Sequence, residues 1–513
     1  MIVIYHNSSC ITRVESEEDK TIVFDRKKTI AFGLMQVAIQ FPESTLVWCH
    51  QECQEQIDIA VVPEILHHQK MMLSYNPTDC NYLGSKIGYV EESPFINVNK
   101  KVTYPTWQMS SLVGVIHATV LIAFKDKIKL DSDFDYYLNS IAKIGMSLGL
   151  LCYSEPKLLV KAQIKVTSSA SVFTLFKFVK QHYKTRWIFL LLLNILLYER
   201  RFLFFAFIFA LFFKNRNRCS ISLASIPVQS NRHIVERATI DVIIPTIGRK
   251  QYLYDVLKDL AKQTHLPINV IIVEQNPQEG SVSELDYLHT EKWPFEIKHT
   301  FTHQAGACNA RNLALNQVES EWVFLNDDDN RFESDLIEKV FENIKKYGVK
   351  SVTTSYLQPN ELLQNSIISQ SGIFGSGNSF LKTELLKQVS FNESLEFGYG
   401  EDTDFGLQLR NLGIDIIYFP NLNILHLKAP MGGFRIKPTF VWSNEKIQPK
   451  PSPTIMYVKQ KYNVREQVMG YKTTLFFKFF KFQTIKNPFR YLIYYKKQWK
   501  KSVYWVNILK NKS

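Results

Sequence analysis

Low-complexity tracts are missing from this chain: 46% of its 513 residues are hydrophobic and 21% charged, the balance of a globular protein and not of a disordered one. Cysteine is sparse. The seven (Cys10, Cys49, Cys53, Cys80, Cys152, Cys219, Cys308) are odd in number and scattered, which fits reduced thiols and excludes a disulfide framework. Cys49 and Cys53 lie beside His50, but no second ligand pair follows at zinc spacing. Residues 1–10 lack the basic region, apolar run and cleavage site of a signal peptide, so the chain is expected to start in the cytoplasm. No uninterrupted apolar run reaches the roughly 20 residues that a spanning helix needs. What the chain has in excess is positive charge. Lys and Arg number 61 against 48 Asp and Glu, a formal +13, and this calls for an anionic partner: nucleic acid, an acidic membrane surface or phosphorylated substrates.

The length predicts two or three domains. Residues 1–165 alternate short apolar runs (2–5, 21–24, 46–48, 59–62, 71–75 and 118–124) with helix-capable stretches, the pattern of an α/β domain. Residues 148–156, LGLLCYSEP, have the shape of residues 412–420, LGIDIIYFP: a helix closing on Leu-Gly, then a strand ending at Pro. Either this is a common pattern recurring by chance, or the first domain is a degenerate copy of the later one, with Tyr137 and Leu138 where the later copy has Glu401 and Asp402. Residues 166–220 change character. Two apolar runs, 187–198 and 202–213, are separated by Glu199, Arg200 and Arg201. Lys177, Lys180, Lys184 and Arg186 precede them, and Lys214, Arg216 and Arg218 follow. Apolar helices flanked by cations on both sides fit a segment lying in a membrane interface; a buried helix pair linking two domains is the alternative.

From residue 238 the pattern is cleaner. Strand 240–244, helix 251–264, strand 268–273 and helix 306–318 lead into residues 322–330, WVFLNDDDN. Here an apolar strand stops at three carboxylates. Adjacent like charges repel and burial penalises each, so they are expected either in water or around a cation held by oxygen ligands. Hard divalent ions suit such oxygens, and ligands of open α/β sheets bind at the carboxyl ends of strands. The sheet pattern ends near residue 437. A basic, aromatic, helical tail occupies 438–513, residue types that suit a membrane interface and would also suit single-stranded nucleic acid.

Seven pieces in order over residues 239–435 resemble a family 2 glycosyltransferase of the GT-A fold: TIDVIIPTIGR, VIIVEQNP, AGACNARNLAL, FLNDDDN, FGSGNSFLKTELL, GYGEDTDFGLQLRNLG and LHLKAPMGGFR. The resemblance implies an α/β fold with a GT-A type, mostly parallel sheet over 238–437. It implies an inverting, hexosyl-type transfer from a nucleotide sugar, UDP-sugars being the leading class, to a lipid-linked or polysaccharide acceptor. It also implies a divalent ion, Mn²⁺ or Mg²⁺, across the donor's diphosphate. Asp327 and Asp329 become the metal pair with His426 completing the set. Asn326 stands where an Asp often begins the motif, which leaves the register open by one residue. Thr246, Glu274, Arg311, Asp327 and Asp328 fall on the nucleotide, and Gly377 and Asn378 on the acceptor side. Asp402 is the expected base and Glu401 an acceptor ligand, with exchange of the two left open. Gly432, Gly433 and Arg435 belong to a loop over the nucleotide. Two other classes remain: an inactive GT-A scaffold in a polysaccharide-assembly complex, and a nucleic-acid binder. The second is disfavoured because the cation clusters flank apolar runs. The expected place is the cytoplasmic membrane face.

Overall fold

A computed structural model describes residues 1–16, 22, 24–25, 27–160, 168–217, 220–429 and 440–511. The chain divides into two compact units, Met1–Arg232 with Asn463–Phe479, and His233–Tyr462 with Phe480–Ser513. This division differs from the expected one. Residues 166–220 are not a segment apart but belong to the first unit, and the tail is shared between both. The loop residues Gly432, Gly433 and Arg435 lie outside the described residues.

In the first unit, β1 (Ile2–His6), β2 (Ile11–Ser16), β3 (Thr45–His50), β4 (Met71–Tyr75), β5 (Tyr104–Pro105), β6 (Val113–His117) and β7 (Leu151–Ser154) form one sheet in the order β2-β1-β3-β6-β4-β7-β5. Helices α1 (Ile30–Gln40), α2 (Val62–Ile65), α3 (Ala118–Ala123) and α4 (Phe134–Ser147) accompany it. Two runs expected as strands do not form strands. Residues 59–62 lead into α2, where Pro63 occupies the first turn and is pre-set for a helix. Residues 118–124 form α3, since a short apolar run reads alike for a buried strand and a buried helix. The run 21–24 falls partly outside the described residues.

Three more helices, α5 (Val172–His182), α6 (Arg186–Glu199) and α7 (Phe204–Leu211), complete this part of the first unit. Their inner faces join its core through Phe176, Phe178, Ile188, Leu191, Ile195 and Phe207. Their outer faces do not find cover within the unit: Phe189, Leu197, Phe202, Phe205 and Phe212 are exposed, the last two at 79% and 80%. Among the described residues no helix is long and apolar enough to cross a membrane.

The second unit carries β8 (Ile240–Thr246), α8 (Lys250–Ala261), β9 (Asn269–Gln275), α9 (Tyr287–Thr290), β10 (Glu296–Thr302), α10 (Ala307–Leu315), β11 (Trp322–Asn326), β12 (Asn330–Phe332), α11 (Leu336–Tyr347), β13 (Ser351–Leu357), β14 (Ser369–Gln370), β15 (Asn378–Lys382), α12 (Glu401–Asn411), β16 (Ile417–His426) and α13 (Pro453–Tyr462). Of the last two helices, α14 (Arg465–Phe480) lies almost wholly in the first unit and α15 (Pro488–Lys510) in the second. The sheet order is β10-β9-β8-β11-β15-β13-β16-β12, with β14 on β16. Its strands from β10 to β11 are parallel, and β15 inserts antiparallel between β11 and β13. The core beneath is apolar and aromatic, from Ile243, Val323 and Leu325 to Phe374, Phe391 and Phe405.

The two sheets share a plan. In the second unit the path β8-β11-β15-β13-β16 pairs parallel, antiparallel, antiparallel, parallel. In the first, β1-β3-β6-β4-β7 pairs in the same sequence of senses and the same chain order. Short β5 and β14 each lie antiparallel on the last of these strands. The recurring helix–Gly–strand therefore marks repeated topology, but the expected counterparts shift. α4 has 14 residues and α12 has 11, so counting back from the shared Leu-Gly stops short of the start of α4. Counted from the helix starts, Phe134 and Asp135, not Tyr137 and Leu138, stand at the positions of Glu401 and Asp402.

Candidate active site

The carboxyl end of β11 delivers Asp327, Asp328 and Asp329 to one edge of the second sheet, and each is held differently. Asp328 is buried. Thr246 Oγ1, at the end of β8, donates to its Oδ2 (2.7 Å), and Arg249 Nη1 donates to its Oδ1 (2.5 Å). Burial pushes its carboxyl up to about 6, with Arg249 and Thr246 pulling the other way. Asp327 takes Arg311 Nη2 on Oδ1 (2.9 Å) and the Tyr356 hydroxyl on Oδ2 (2.9 Å). Asp329 accepts the Ala429 N–H on Oδ2 (2.8 Å), and Arg249 stands 3.3 Å from the same oxygen. Its acidity is raised: burial disfavours the charge, but His426, the Ala429 N–H and Arg249 outweigh it.

The last residue of β16, His426, brings Nε2 to 3.4 Å from Asp329 Oδ1. Pairing with Asn330 of β12 fixes its position, and its ring stacks on Tyr356 with centroids 4.5 Å apart. One ligand atom each from Asp327, Asp329 and His426 lies within 4.8 Å of the others. Asp329 Oδ1 is buried and accepts no hydrogen bond. Two hard carboxylates and an imidazole, with an unsatisfied buried oxygen among them, fit a divalent ion such as Mg²⁺ or Mn²⁺. Gly377 leaves room for this arrangement, since a Cβ there would sit 2.2 Å from Asp327 Oδ2.

A second carboxylate pair begins α12. Asp402 Oδ1 accepts the Ser376 N–H (3.3 Å), whereas Glu401 Oε2 is buried without a partner. Burial, then the neighbouring Asp402, pushes Glu401 up to about 7; burial also raises Asp402, against the pull of Arg311. Arg311 is the link between the clusters. Burial works against its charge, but Asp327, Asp402 and Glu401 hold it firmly protonated. Asp404, third in the acidic helix start, is spent on structure: Lys461, Tyr462 and Gln408 surround its buried carboxylate.

The remaining expected residues lie as follows. Glu274 is opposite Thr246 in the β8–β9 register and bonded to His299 Nε2 (3.0 Å). Asn378 is buried, its amide donating to Thr354 O (2.7 Å), so it fastens β15 to β13 from within. Arg249 and Tyr356 were not foreseen. Charge balance points to the first, because three clustered carboxylates require cations and Arg249 follows the neighbouring strand end; nothing in the local pattern marks Tyr356.

Residues 241–389 match the family model described as Glycosyl transferase family 2. An uncharacterized glycosyltransferase of Haemophilus influenzae is 26% identical over 186 residues, 33% of this chain and 61% of that protein. Glycosyltransferase GlyG of Streptococcus pneumoniae is 22% identical over 153 residues, 30% of this chain and 49% of its own. The matches thus span less than two thirds of these relatives. Among solved structures, S. aureus TarS 1–349 in complex with UDP-GlcNAc is 18% identical with a TM-score of 0.36, covering 52% of this chain and 79% of that one. Over residues 241–389, from β8 through the acidic strand end to β15, this chain thus carries a segment that matches family 2 glycosyltransferases.

Proposed function

We propose that the second unit transfers a sugar from a nucleotide-sugar donor, a UDP-sugar foremost, to a saccharide or lipid-linked acceptor with inversion. The observation that carries this reading is the meeting of Asp327, Asp329 and His426 at one strand end while Arg311 joins that cluster to Asp402. Asp327, Asp329 and His426 would hold Mn²⁺ or Mg²⁺, which when bound supplies positive charge for the departing nucleoside diphosphate. Thr246, Glu274 and Asp328 line the nucleoside end, with Arg249 keeping Asp328 charged. On the other side Asp402 takes the acceptor's proton and Glu401 steadies the attacking hydroxyl. Carboxyls raised toward neutrality suit that task. Gly377 and the backbone at Asn378 border the acceptor.

The exposed Phe202, Phe205 and Phe212, with Arg200 and Arg201 beside them, support docking of the first unit on an acidic membrane surface, hence a place at the cytoplasmic membrane face. Phe205→Glu with Phe212→Glu is expected to abolish co-sedimentation with vesicles containing phosphatidylglycerol; unaltered sedimentation would remove this part of the reading. The transferase itself is tested by hydrolysis of a nucleotide-sugar panel with Mn²⁺ or EDTA, in the wild type and in Asp329→Ala. Metal-dependent cleavage of one donor, lost in the variant, is expected. Neither cleavage nor calorimetric binding of any donor would leave a scaffold.

A further inference from the structure

On the face of α12 that carries Asp404, Gln408 and Asn411, the second unit holds a cavity of about 1020 Å³. Sites that enclose a drug-sized ligand run to roughly 300–1000 Å³. Its wall includes Phe397, Trp442 and Tyr457 together with Gln388, Glu393 and Asn411. The aromatic part is ordered as flat faces: Trp442 lies on Phe440 with centroids 4.7 Å apart and planes 7° from parallel. Phe397 is 41% exposed. Its backbone is left-handed, φ +58°, a conformation that a bulky residue adopts only where its surroundings impose it. Here Gly398 N–H donates to Leu395 O (2.9 Å), Tyr399 N–H donates to Thr454 Oγ1 (3.2 Å), and Thr454 leaves no room for a side chain at Gly398. The loop that ends at Glu401 is thus pinned in a form that holds an aromatic ring against the cavity.

We propose that this cavity is a saccharide subsite, which binds sugar units of the acceptor chain lying beyond the unit that reacts. The inference rests on the transferase reading of the neighbouring site. A pyranose ring has an apolar face and a rim of hydroxyls; a wall that offers both aromatic rings and amides with a carboxylate matches both. The charge of the wall narrows the class. Among the described lining residues Glu393, Glu396 and Asp404 are acidic, and Lys461 is already paired with Asp404 (2.8 Å). With three carboxylates against one lysine the described wall carries net negative charge, which disfavours an anionic glycan, so the subsite takes neutral chains. The volume exceeds what one sugar fills, and binding therefore strengthens with chain length.

The test is a titration of the full chain, followed by tryptophan fluorescence and by saturation-transfer NMR, with neutral hexose and N-acetylhexosamine oligosaccharides of one to four units and with tetragalacturonate as the anionic probe. At least one neutral series is expected to bind, the tetrasaccharide at least tenfold more tightly than the monosaccharide and tetragalacturonate more weakly than either. Phe397→Ala is expected to weaken the tetrasaccharide at least tenfold. Val441→Arg, a change at an exposed wall residue that does not disturb the core, is expected to do the same by occupying the mouth. If no neutral saccharide binds, or if both variants bind as the wild type does, the subsite is refuted. Donor hydrolysis by the wild type, measured without acceptor, keeps the two readings apart. Hydrolysis without saccharide binding overturns the subsite alone; saccharide binding lost in the variants, with neither donor hydrolysis nor calorimetric donor binding, overturns the transferase reading alone.

Discussion

The two units place the same sheet plan around opposite contents. In both, the second residue of the helix before the last shared strand is an Asp that accepts the N–H of a Ser two positions ahead of a strand: Ser111 to Asp135 Oδ1 at 2.7 Å, Ser376 to Asp402 Oδ1 at 3.3 Å. What differs is the strand ends. Where Asp327, Asp328 and Asp329 follow Asn326, the residue paired with the start of β15, His50, Gln51 and Glu52 follow Cys49, the residue paired with the start of β6. Where the second unit has Glu401, the first has Phe134, whose ring packs edge-on against His6 at 5.4 Å, and His6 in turn bonds Ser111 O (2.8 Å). Burial lowers His6 to about 4, so it stands there as a neutral ring. The helix-start Asp by itself is an architectural device, a fastening of helix to strand. It becomes a candidate base only where Arg311 and the acidic strand end face it.

The largest expected effect separates these two aspartates. Asp402→Asn is expected to cut turnover by about 10²–10⁴-fold, the worth of a positioned base, and Asp135→Asn by less than about twofold. Comparable losses in both would make the first unit part of the active site. The strand ends come next. Removing a partner that merely orients a metal ligand costs about 10–100-fold in affinity, so Asp329→Ala should lose at least ~100-fold in Mn²⁺ binding by calorimetry and Tyr356→Phe about tenfold. Glu52→Ala should change nothing. Equal losses from Glu52→Ala and Asp329→Ala would move the ion to the first unit.

Buried ion pairs offer a comparison on stability. Asp328 leans on Arg249, and in the first unit Asp131 takes a two-pronged bond from Arg216, at 2.8 and 3.0 Å. Arg→Ala at either strands a buried carboxylate and is expected to cost about 3 kcal/mol in urea unfolding at pH 8. Asp328, already raised to about 6, can discharge by taking a proton. The loss in Arg249→Ala should therefore shrink at pH 5, and an undiminished loss would show that Asp328 stays ionised there.

The acidic strand end of this site was legible from residue types, whereas His426 and the carboxylate pair at 401 and 402 were named through the family resemblance. Asp327, Asp329 and His426 converge because β12, which follows the carboxylates directly, pairs with β16, the later strand that ends in His426. The β/α alternation from residue 240 onward was equally plain, since strands covered on both faces read as unbroken β-branched runs. What stayed hidden was relational. Arg249 and Tyr356 join the site through partners 79 and 29 positions away, and no local pattern encodes such a meeting. Residues 59–62 and 118–124 misled because their period is ambiguous. The division of the tail between two units has no local mark either.

The smallest expected effect concerns pH, and it discriminates within the carboxylate pair. Glu401 is raised to about 7 and Asp402 is raised as well, so both bind protons more tightly than exposed carboxyls do. A base works only when deprotonated. The acid limb of the rate should therefore lie above the ordinary carboxylate range and fall by up to about tenfold per pH unit, the limit for one proton. Stability runs the other way. A carboxyl whose folded affinity for protons exceeds its unfolded one stabilises the fold at low pH, fully below its ordinary range near 4.5, and that contribution fades as the pH rises through about 7. Glu401→Gln removes this slope while leaving Asp402 to titrate beside Arg311 and Asp327 without the adjacent Glu401 carboxylate. Its acid limb should then shift to lower pH, because the like charge that opposes ionisation is gone. In the first unit Phe134 stands where Glu401 would, and Asp135 is raised by burial before any charge. Phe134→Glu should consequently leave the rate profile unmoved; a shift there would show that the two units titrate as one.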